Sequence, residues 1–168
     1  MDKCVLIAAV GKNRELGYDG HLIWRFHQDM VFFREHTINK VIVMGRKTFD
    51  SLPKLLSNRD HVVLTRQDIV IPGVIVIHKK EDLDLYLDDI NYHDDVMIIG
   101  GEAIYNLFLN DADQMLLTEI NDVYSNADAF FPEFNKDEWE KNVLGSSCEN
   151  DIEFSHVCYT KKKSRRLL

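Results

Sequence analysis

The chain has 168 residues and a mass of 19.6 kDa, and 45% of its residues are hydrophobic while 29% are charged, with a net charge of −8. This composition is typical of one soluble globular domain and excludes a disordered or fibrous chain. The longest apolar runs have four to six residues, whereas a membrane helix needs roughly 20, and the first residues lack the pattern of a secretory signal.

Predicted strands and helices alternate along the chain. Short runs of β-branched and aliphatic residues predict strands at 5–10, 41–44, 61–65, 74–77, 96–99 and 115–120. Several are apolar throughout, which is typical of strands that are covered on both faces in a parallel sheet. The spacing of apolar residues predicts helices at 27–36, 80–89 and 102–109. This alternation predicts an α/β domain with a largely parallel central sheet.

The remaining segments are less regular. The first strand is followed by a long glycine-containing segment, residues 11–25, which is predicted to be a loop. Near the C-terminus, residues 151–160 are predicted to form an edge strand. Residues 138–150 mix polar and apolar side chains without a clear period, so no element is predicted there.

Charge is unevenly distributed. Five of the 20 basic residues lie in the last eight positions, so the rest of the chain has 15 basic against 28 acidic residues. An acidic body of this kind is a poor binder of nucleic acid and of anionic membranes, and we expect neither as a partner. The basic tail, residues 161–168, is interpreted as a solvated terminus, with a contact patch as the alternative.

The cysteines and histidines do not suggest a metal site. Cys4, Cys148 and Cys158 are an odd number without CxxC spacing, which excludes a zinc ribbon and a dithiol redox motif. Free thiols indicate a reducing compartment, so the cytoplasm is the expected location. The seven histidines form no HExxH motif, and no metal is expected.

Residues that follow the predicted strands are candidates for a binding site, because ligands in open α/β sheets bind beyond the carboxyl ends of the strands. The segment 45–48 combines a glycine with two cations where a helix is expected to begin, and this combination favours the binding of an anion. Thr65-Arg66 and the Gly100-Gly101 pair follow two other strands. Each feature alone is more often a simple turn, but together they indicate a phosphate-rich cofactor. Neither GxGxxG nor GxxxxGK[ST] is present.

Asp29 is the most informative carboxylate. It lies in the first turn of a predicted helix, three and four residues before Phe32 and Phe33. The ordinary interpretation is an aspartate stabilised by the helix dipole. The alternative is a carboxylate in an apolar pocket, with a raised pKa, that binds a planar pair of N–H donors. Arg59, in a turn before a strand, is likewise either a surface charge or a clamp for a carboxylate.

A series of motifs resembles the dihydrofolate reductase family, in its bacterial chromosomal type. The matching residues, in chain order, are Leu16-Gly17, Leu22-Ile23-Trp24, Asp29, Phe33, Met44 to Phe49, Leu56 to Arg59, Val62 to Arg66, Ile99 to Gly101, Leu117-Thr118 and Asp128 to Pro132. They extend over nearly the whole chain, between residues 4 and 160, and the length is similar to that of bacterial members.

This resemblance implies a fold and a reaction. The implied fold is a mostly parallel central sheet of eight strands with an antiparallel C-terminal strand and four flanking helices, in one domain over residues 1–168. The implied reaction is the reduction of 7,8-dihydrofolate, with NADPH as the cofactor, by hydride transfer to C6 and protonation of N5. A monomer is the expected oligomeric state.

The resemblance also implies the residues that bind the substrate. Asp29, supported by Thr118, would hold the pteridine, while water admitted near Trp24 and Leu22 would supply the proton to N5. Arg59 would pair with the α-carboxylate of the glutamate tail. The remaining substrate-binding residues would be Ile7, Ala8, Met30, Phe33, Leu56 and Ile99.

The implied cofactor-binding residues lie mostly at the strand ends, and Arg66 would lie on the side of the adenosine 2′-phosphate. The full set is Ala9, Leu16, Gly17, Gly45, Arg46, Lys47, Thr48, Leu64, Thr65, Arg66, Gly100, Gly101, Glu102, Ala103, Ile104 and Tyr105.

The chain departs from the family pattern at four positions. Ile23 and His27 replace common prolines, so the lid formed by residues 11–25 is expected to be less constrained. Glu102 puts a carboxylate near the pyrophosphate, which would weaken cofactor binding unless it points to solvent or meets a cation. Ala129 replaces a threonine, and a hydrogen bond is expected to be missing there.

Two other functions remain open from the sequence. One is the reduction of another pterin or of a ribosylated pyrimidine on the same fold, which Arg59 disfavours because a substrate without a glutamate tail has no use for it. The other is a non-catalytic module that binds NADPH or folate. The acidic body and the complete catalytic set disfavour that module, especially one that also contacts nucleic acid.

Overall fold

The structure is a computed structural model that describes residues 1–163, and the last part of the predicted basic tail, 164–168, lies outside the described residues. Within this range, the strands are β1 (Cys4–Val10), β2 (Glu15–Tyr18), β3 (His21–Leu22), β4 (Val41–Gly45), β5 (Asp60–Leu64), β6 (Ile75–Ile77), β7 (Val96–Gly100), β8 (Gln114–Ile120), β9 (Ala129–Phe130), β10 (Trp139–Glu149) and β11 (Ile152–Lys161). The helices are α1 (His27–Thr37), α2 (Arg46–Ser51), α3 (Glu81–Asp89) and α4 (Glu102–Phe108). None of these helices has the length and apolar character needed to span a membrane.

Eight of the strands form one sheet in the order β10-β11-β8-β1-β7-β4-β5-β6. The neighbouring pairs from β8 to β6 are parallel, whereas β11 is antiparallel to both β8 and β10. This arrangement confirms the predicted α/β fold: a mostly parallel eight-stranded sheet with an antiparallel C-terminal strand, accompanied by four helices.

The three central strands β1, β4 and β7 are buried along most of their length. Successive side chains of a strand point to opposite faces of the sheet. Accordingly, Leu6 and Val43 belong to one apolar cluster, while Val5 and Ile42 belong to a second cluster on the other face. Because both faces are covered, the runs that predicted these strands are apolar throughout instead of alternating.

The predicted position of the C-terminal strand is wrong. Residues 151–160 were expected at an edge, but β11 lies between β8 and β10, and β10 is the edge strand. β10 escapes prediction because most of its residues are exposed, so no apolar alternation marks it. A register shift between Val143 and Gly145 further interrupts its period. Its pairing depends on backbone hydrogen bonds to β11, which the sequence pattern does not encode.

The prediction of a loop over residues 11–25 is only partly correct. β2 pairs with β3 and with β9 in a separate three-stranded sheet. These strands have between two and four residues, which is too short to show an alternating pattern in a sequence. The turn between β2 and β3 contains Asp19 and Gly20, both with positive φ.

The three predicted helices are confirmed as α1, α3 and α4. The last of them ends one residue early, and the chain continues as a 3₁₀ turn over Leu109–Asp111. The short helix α2 begins at Arg46, directly after β4. Helix α2 thus begins at the end of β4 and helix α4 begins directly after Gly101, at two of the strand ends that the sequence marks as a binding site.

Candidate active site

Asp29 lies in the first turn of α1 and is bonded to the neighbouring sheet. The hydroxyl of Thr118 in β8 donates a hydrogen bond of 2.5 Å to Oδ1 of Asp29. The side chain of Asp29 is 24% exposed, and this burial raises the pKa of its carboxyl group against the opposing effect of the Thr118 hydrogen bond. Of the two interpretations of Asp29, the geometry favours a carboxylate in a largely buried site over a residue that only complements the helix dipole.

The N-terminus of α1 is held by Glu149, the last residue of β10. Its two carboxylate oxygens accept hydrogen bonds from the backbone N–H groups of His27 (2.8 Å) and Gln28 (3.0 Å). These bonds lower the pKa of Glu149, and the negative charge complements the positive end of the helix. A proline at position 27, as in the family pattern, would have no N–H for the first bond. Sequence reasoning missed Glu149 because its partners are far away in the chain.

His156 is a second residue near Asp29 that sequence reasoning missed. It lies in β11 directly opposite Thr118 of β8. Its Nδ1 is 2.9 Å from Oγ1 of Thr118 and 3.9 Å from Oδ1 of Asp29. The imidazole stacks on the ring of Phe32, with 4.1 Å between the ring centroids. No local motif reveals this residue, because its place depends on the register of two distant strands.

An apolar surface lies on the same side of the sheet as Asp29. Four residues predicted to bind the substrate belong to a single hydrophobic cluster: Ile7, Phe33, Leu56 and Ile99. Ala8 packs against the cluster on the opposite face, so its side chain is not part of this surface. Leu22 and Met30 are each 65% exposed and are not packed into the cluster.

Arg59 lies in the turn that precedes β5. Its Nε donates a hydrogen bond of 3.1 Å to the carbonyl of Ser57. Within residues 1–163, no carboxylate lies within salt-bridge distance of this guanidinium. Burial and the charge of Arg34, on α1, lower the pKa of Arg59. Arg34 is therefore a second cation near the predicted carboxylate clamp, and sequence reasoning did not select it.

The buried side chain of His61 fixes the turn that carries Arg59. Its Nε2 accepts the backbone N–H of Leu56 at 3.1 Å, and Nδ1 lies 3.1 Å from the carbonyl of Arg59. This pattern requires a neutral ring with its proton on Nδ1, because Nε2 must accept. The geometry of the turn thus depends on the protonation state of one histidine.

Burial lowers the pKa of His61 below its ordinary value of 6.5, which leads to a prediction about acid stability. A base with a lowered pKa contributes stability above its unfolded-state pKa, and this stability is lost as the pH falls through the folded-state pKa. We expect the unfolding temperature of the wild type to fall as the pH is lowered from about 7 to about 5. The fall should be smaller in His61→Gln, because an amide can accept the N–H of Leu56 and donate to the carbonyl of Arg59 without titrating. His93→Gln, at an exposed histidine, is the control. Equal acid sensitivity of His61→Gln and the wild type would contradict this role.

The residues after β4 contribute less free charge than the sequence suggests. Nε of Arg46 lies 2.9 Å from Oδ1 of Asp50 one turn later in α2, and its Nη1 donates to Gln67. Lys47 is exposed. Gly45 is favoured by packing, since a Cβ there would lie 3.1 Å from Cγ1 of Ile104 in α4 and would require that side chain to shift. This close approach brings α4 against the end of β4.

A groove of about 510 Å³ lies between the end of β5 and helix α4. Five residues predicted to bind a cofactor line it: Leu64, Thr65, Arg66, Ala103 and Ile104. The groove also contains His78, Lys79 and Lys80, which sequence reasoning missed. The Nζ atom of Lys80 already pairs with Asp111 at 2.6 Å. Among the described residues, Arg66 and Lys79 form no salt bridge, so the groove keeps a net basic lining with His78 despite the carboxylate of Glu81, which suits an anionic ligand.

The Gly100-Gly101 pair allows a close approach of backbone and side chain. Gly100 has a φ of +113°, and a Cβ there would lie 2.9 Å from the ring of Tyr105. The Tyr105 hydroxyl donates a hydrogen bond of 2.6 Å to the carbonyl of Ile7, and burial raises its pKa. Tyr105 therefore ties α4 to β1 directly beneath the glycine pair. The peptide bond between the two glycines is cis.

Glu102 is exposed, which is one of the two environments expected for it, and it also makes a contact that the sequence did not suggest. Its Oε1 accepts the backbone N–H of Phe130 at 2.9 Å. The carboxylate thus bonds to strand β9 of the small sheet, and within residues 1–163 no cation forms a salt bridge with it. This contact links the first turn of α4 to the segment that pairs with the predicted lid.

The predicted lid is tied to the segment 121–130 by hydrogen bonds. The indole of Trp24 donates to Asp122 at 3.0 Å, and Asp128 accepts the backbone N–H of Asp19 at 3.0 Å. Glu15, fully buried, accepts the N–H of Tyr124 at 2.7 Å. These bonds link residues 11–25 to the segment that follows β8. The sequence gave no indication that Glu15 is buried and accepts one of these bonds.

Comparisons with known proteins agree with this geometry. The family model for dihydrofolate reductase matches residues 3–161. A dihydrofolate reductase of Haemophilus influenzae is 36% identical over 135 residues, which cover 80% of this chain and 82% of that protein. A dihydrofolate reductase of Bacillus subtilis is 31% identical over 164 residues, which cover 95% of each chain. The solved structure of a dihydrofolate reductase from Enterococcus faecalis, complexed with NADP(H) and RAB-propyl, has a TM-score of 0.86 and 28% identity, and covers 96% of this chain and 97% of that one. This chain belongs to the dihydrofolate reductase family.

Proposed function

We propose that this chain reduces 7,8-dihydrofolate to 5,6,7,8-tetrahydrofolate with NADPH, and so supports one-carbon metabolism. The observation that carries this proposal is the largely buried carboxylate of Asp29, held by Thr118 beside an apolar surface. The Gly100-Gly101 turn lies at the end of β7, and the basic groove lies at the end of β5 beside helix α4. The apolar surface beside Asp29 suits a flat heterocycle, and the basic groove at the strand ends suits a phosphorylated cofactor.

Asp29 binds and orients the pteridine. An ionised carboxylate accepts two parallel N–H bonds, which the 2-amino group and N3 of the pteridine can donate. This interaction favours the electron distribution that makes N5 basic, and a protonated N5 is required because a neutral imine is a poor hydride acceptor. The raised pKa of Asp29 suits proton uptake near neutral pH. Trp24 and Leu22 border the path by which water brings the proton.

The residues at the strand ends fit the cofactor. A Cβ at Gly100 would collide with Tyr105, so the glycine lets the turn that is proposed to border the cofactor pack closely on α4. Arg66, His78 and Lys79 line the groove where a 2′-phosphate would bind. When bound, NADPH supplies the hydride. The protein's own contribution is to hold the two ring systems in contact and to exclude water.

The direct test follows the absorbance of NADPH at ~340 nm, where the reduced nicotinamide absorbs. We expect oxidation that depends on dihydrofolate. NADPH binding without dihydrofolate-dependent oxidation would contradict the proposal and favour a non-catalytic module. Faster turnover of dihydrobiopterin than of dihydrofolate would indicate a different pterin reductase.

A prediction for Arg59 tests the identity of the substrate. Arg59→Ala is expected to raise the KM for dihydrofolate roughly 10- to 100-fold, because a charge-assisted hydrogen bond to the α-carboxylate is lost. The KM for a dihydropterin without the glutamate should not change. Lys54→Ala removes an exposed cation nearby and serves as the control. If Arg59→Ala raises the KM for both substrates by the same factor, Arg59 does not bind the glutamate tail.

The organisation and location of the protein are also proposals. One reductase domain over residues 1–168 is supported by the family match over 3–161. A cytoplasmic location is supported by the three free cysteines. The net charge of −8 supports the absence of nucleic-acid binding. We propose a monomer, which light scattering of the purified protein would test.

A further inference from the structure

Three polar side chains form a continuous chain of hydrogen bonds from β11 to α1. Nδ1 of His156 lies 2.9 Å from Oγ1 of Thr118, and Oγ1 lies 2.5 Å from Oδ1 of Asp29. The proposed reaction uses Asp29 and Thr118 but gives no role to His156. The imidazole is nevertheless bonded to the residue that supports the catalytic carboxylate.

The direction of these hydrogen bonds follows from the number of available protons. An ionised carboxylate can only accept, so the single hydroxyl proton of Thr118 is donated to Asp29. The hydroxyl oxygen must then accept from His156, whose Nδ1 therefore carries a proton. Donation from His156 polarises the Thr118 hydroxyl and strengthens the bond to Asp29.

The surroundings of His156 hold its ring in place and favour the neutral form. The imidazole is stacked on Phe32 and in edge contact with Phe154, and its side chain is 12% exposed. The titratable groups that face it are Asp29 and His36 on α1, with Glu149 of β10 at the start of the same helix. Burial lowers the pKa of His156, against the opposing charge of Asp29.

We propose that His156 is a positioning residue for the reaction: its Nδ1–H donates to Thr118 and so stabilises and orients the ionised form of Asp29. This inference rests on the proposed function of Asp29. Loss of the donor should let Asp29 retain its proton to higher pH. Because hydride transfer requires proton uptake, its rate falls as the pH rises, and the midpoint of that fall should move upward when the donor is removed.

Two substitutions separate this role from simple packing. His156→Phe keeps a ring against Phe32 but removes the donor, whereas His156→Asn keeps an N–H donor near Nδ1 but loses the ring. The measured quantity is the pH at which the single-turnover rate of hydride transfer falls to half its maximum. We expect this pH to rise by about 0.5 to 1 in His156→Phe and to stay near the wild-type value in His156→Asn. If His156 served only in packing, the shift would be larger in His156→Asn, which loses the ring, than in His156→Phe, which keeps it. His36→Gln is the matched control, since His36 contacts the same phenyl ring but bonds to the carbonyl of Phe32.

Two NMR measurements on the protein without ligands test the inference independently of activity. The ¹⁵N shifts of the neutral imidazole should identify the Nδ1–H tautomer of His156, and the carboxyl ¹³C shift of Asp29 should titrate at higher pH in His156→Phe. An Nε2–H tautomer would overturn the proposal even in an active enzyme. If dihydrofolate reduction fails but both NMR results hold, the proposed function is wrong and the contact between His156 and Asp29 stands.

Discussion

Asp29→Asn is expected to slow hydride transfer at pH 7 by roughly 100-fold or more, while the affinity for NADPH changes little. The asparagine has nearly the same shape and can still accept the Thr118 hydroxyl, so the loss reflects charge and not packing. An amide cannot accept two N–H groups of the pteridine, and it provides no negative charge to make N5 basic. Single-turnover stopped-flow measurement of NADPH oxidation checks the rate, and quenching of protein fluorescence checks the cofactor affinity.

Asp89→Asn provides the control, because Asp89 is an exposed carboxylate at the end of α3. It should transfer hydride at the wild-type rate. Equal turnover of Asp29→Asn and the wild type at pH 7 would remove Asp29 from the mechanism. A loss of NADPH affinity as large as the loss of rate would instead point to a general disruption of the structure around the site.

The same substitution should stabilise the protein at high pH. Burial raises the pKa of Asp29 above its ordinary value of 3.8. An acid with a raised pKa contributes its full stability below the unfolded-state pKa and loses it as the pH rises through the folded-state pKa. Asp29→Asn is therefore expected to unfold at a higher temperature than the wild type near pH 8, with the difference closing on acidification towards pH 4. Such a gain would show that the active-site acid is held at a cost in stability.

Gly100→Ala is expected to have the second large effect, on both stability and cofactor binding. The added Cβ would lie between 2.9 and 3.0 Å from two ring carbons and the hydroxyl oxygen of Tyr105, at a backbone φ of +113°. Together, backbone strain and overpacking should cost about 2–6 kcal/mol in the free energy of unfolding. Movement of Tyr105 would also break its hydrogen bond to Ile7 and displace α4 from the end of β1.

Thermal unfolding and titration with NADPH measure these two losses. We expect the affinity for NADPH to fall at least ~10-fold, because the turn that approaches the cofactor is displaced. Gly145→Ala is the matched control, since no atom lies within 4 Å of a Cβ built there. Gly101→Ala, whose Cβ would lie 3.4 Å from Oγ1 of Thr48, should have a smaller effect on stability. Wild-type stability and affinity in Gly100→Ala would show that the close contact with Tyr105 is not required.

The predicted site residues come from distant parts of the chain, and the structure brings only some of them together. Asp29 and Thr118 are 89 positions apart, yet they form a hydrogen bond of 2.5 Å. Their pairing could be anticipated only through the resemblance to a family, because spacing in the sequence says nothing about contact over that distance. Ala8 was assigned to the substrate surface with Ile7, but alternation along β1 places its side chain on the opposite face.

The missed residues have a common physical cause. Glu149, His156 and Glu15 act through partners that lie far away in the chain. A glutamate in an exposed strand or a histidine in a half-buried one is unremarkable in a sequence. Its function depends on which backbone or side-chain group the tertiary structure places against it.

The sequence by itself determined the fold class, the central strands and the flanking helices, because burial on both faces demands uniformly apolar runs and helices demand apolar residues at helical spacing. Only the tertiary structure decided which strand lies at the edge, how residues 11–25 are held and which groups surround Asp29. Strand order and hydrogen-bond partners depend on long-range pairing, and they set the burial that raises the pKa of Asp29. Local propensity carries no information about that pairing.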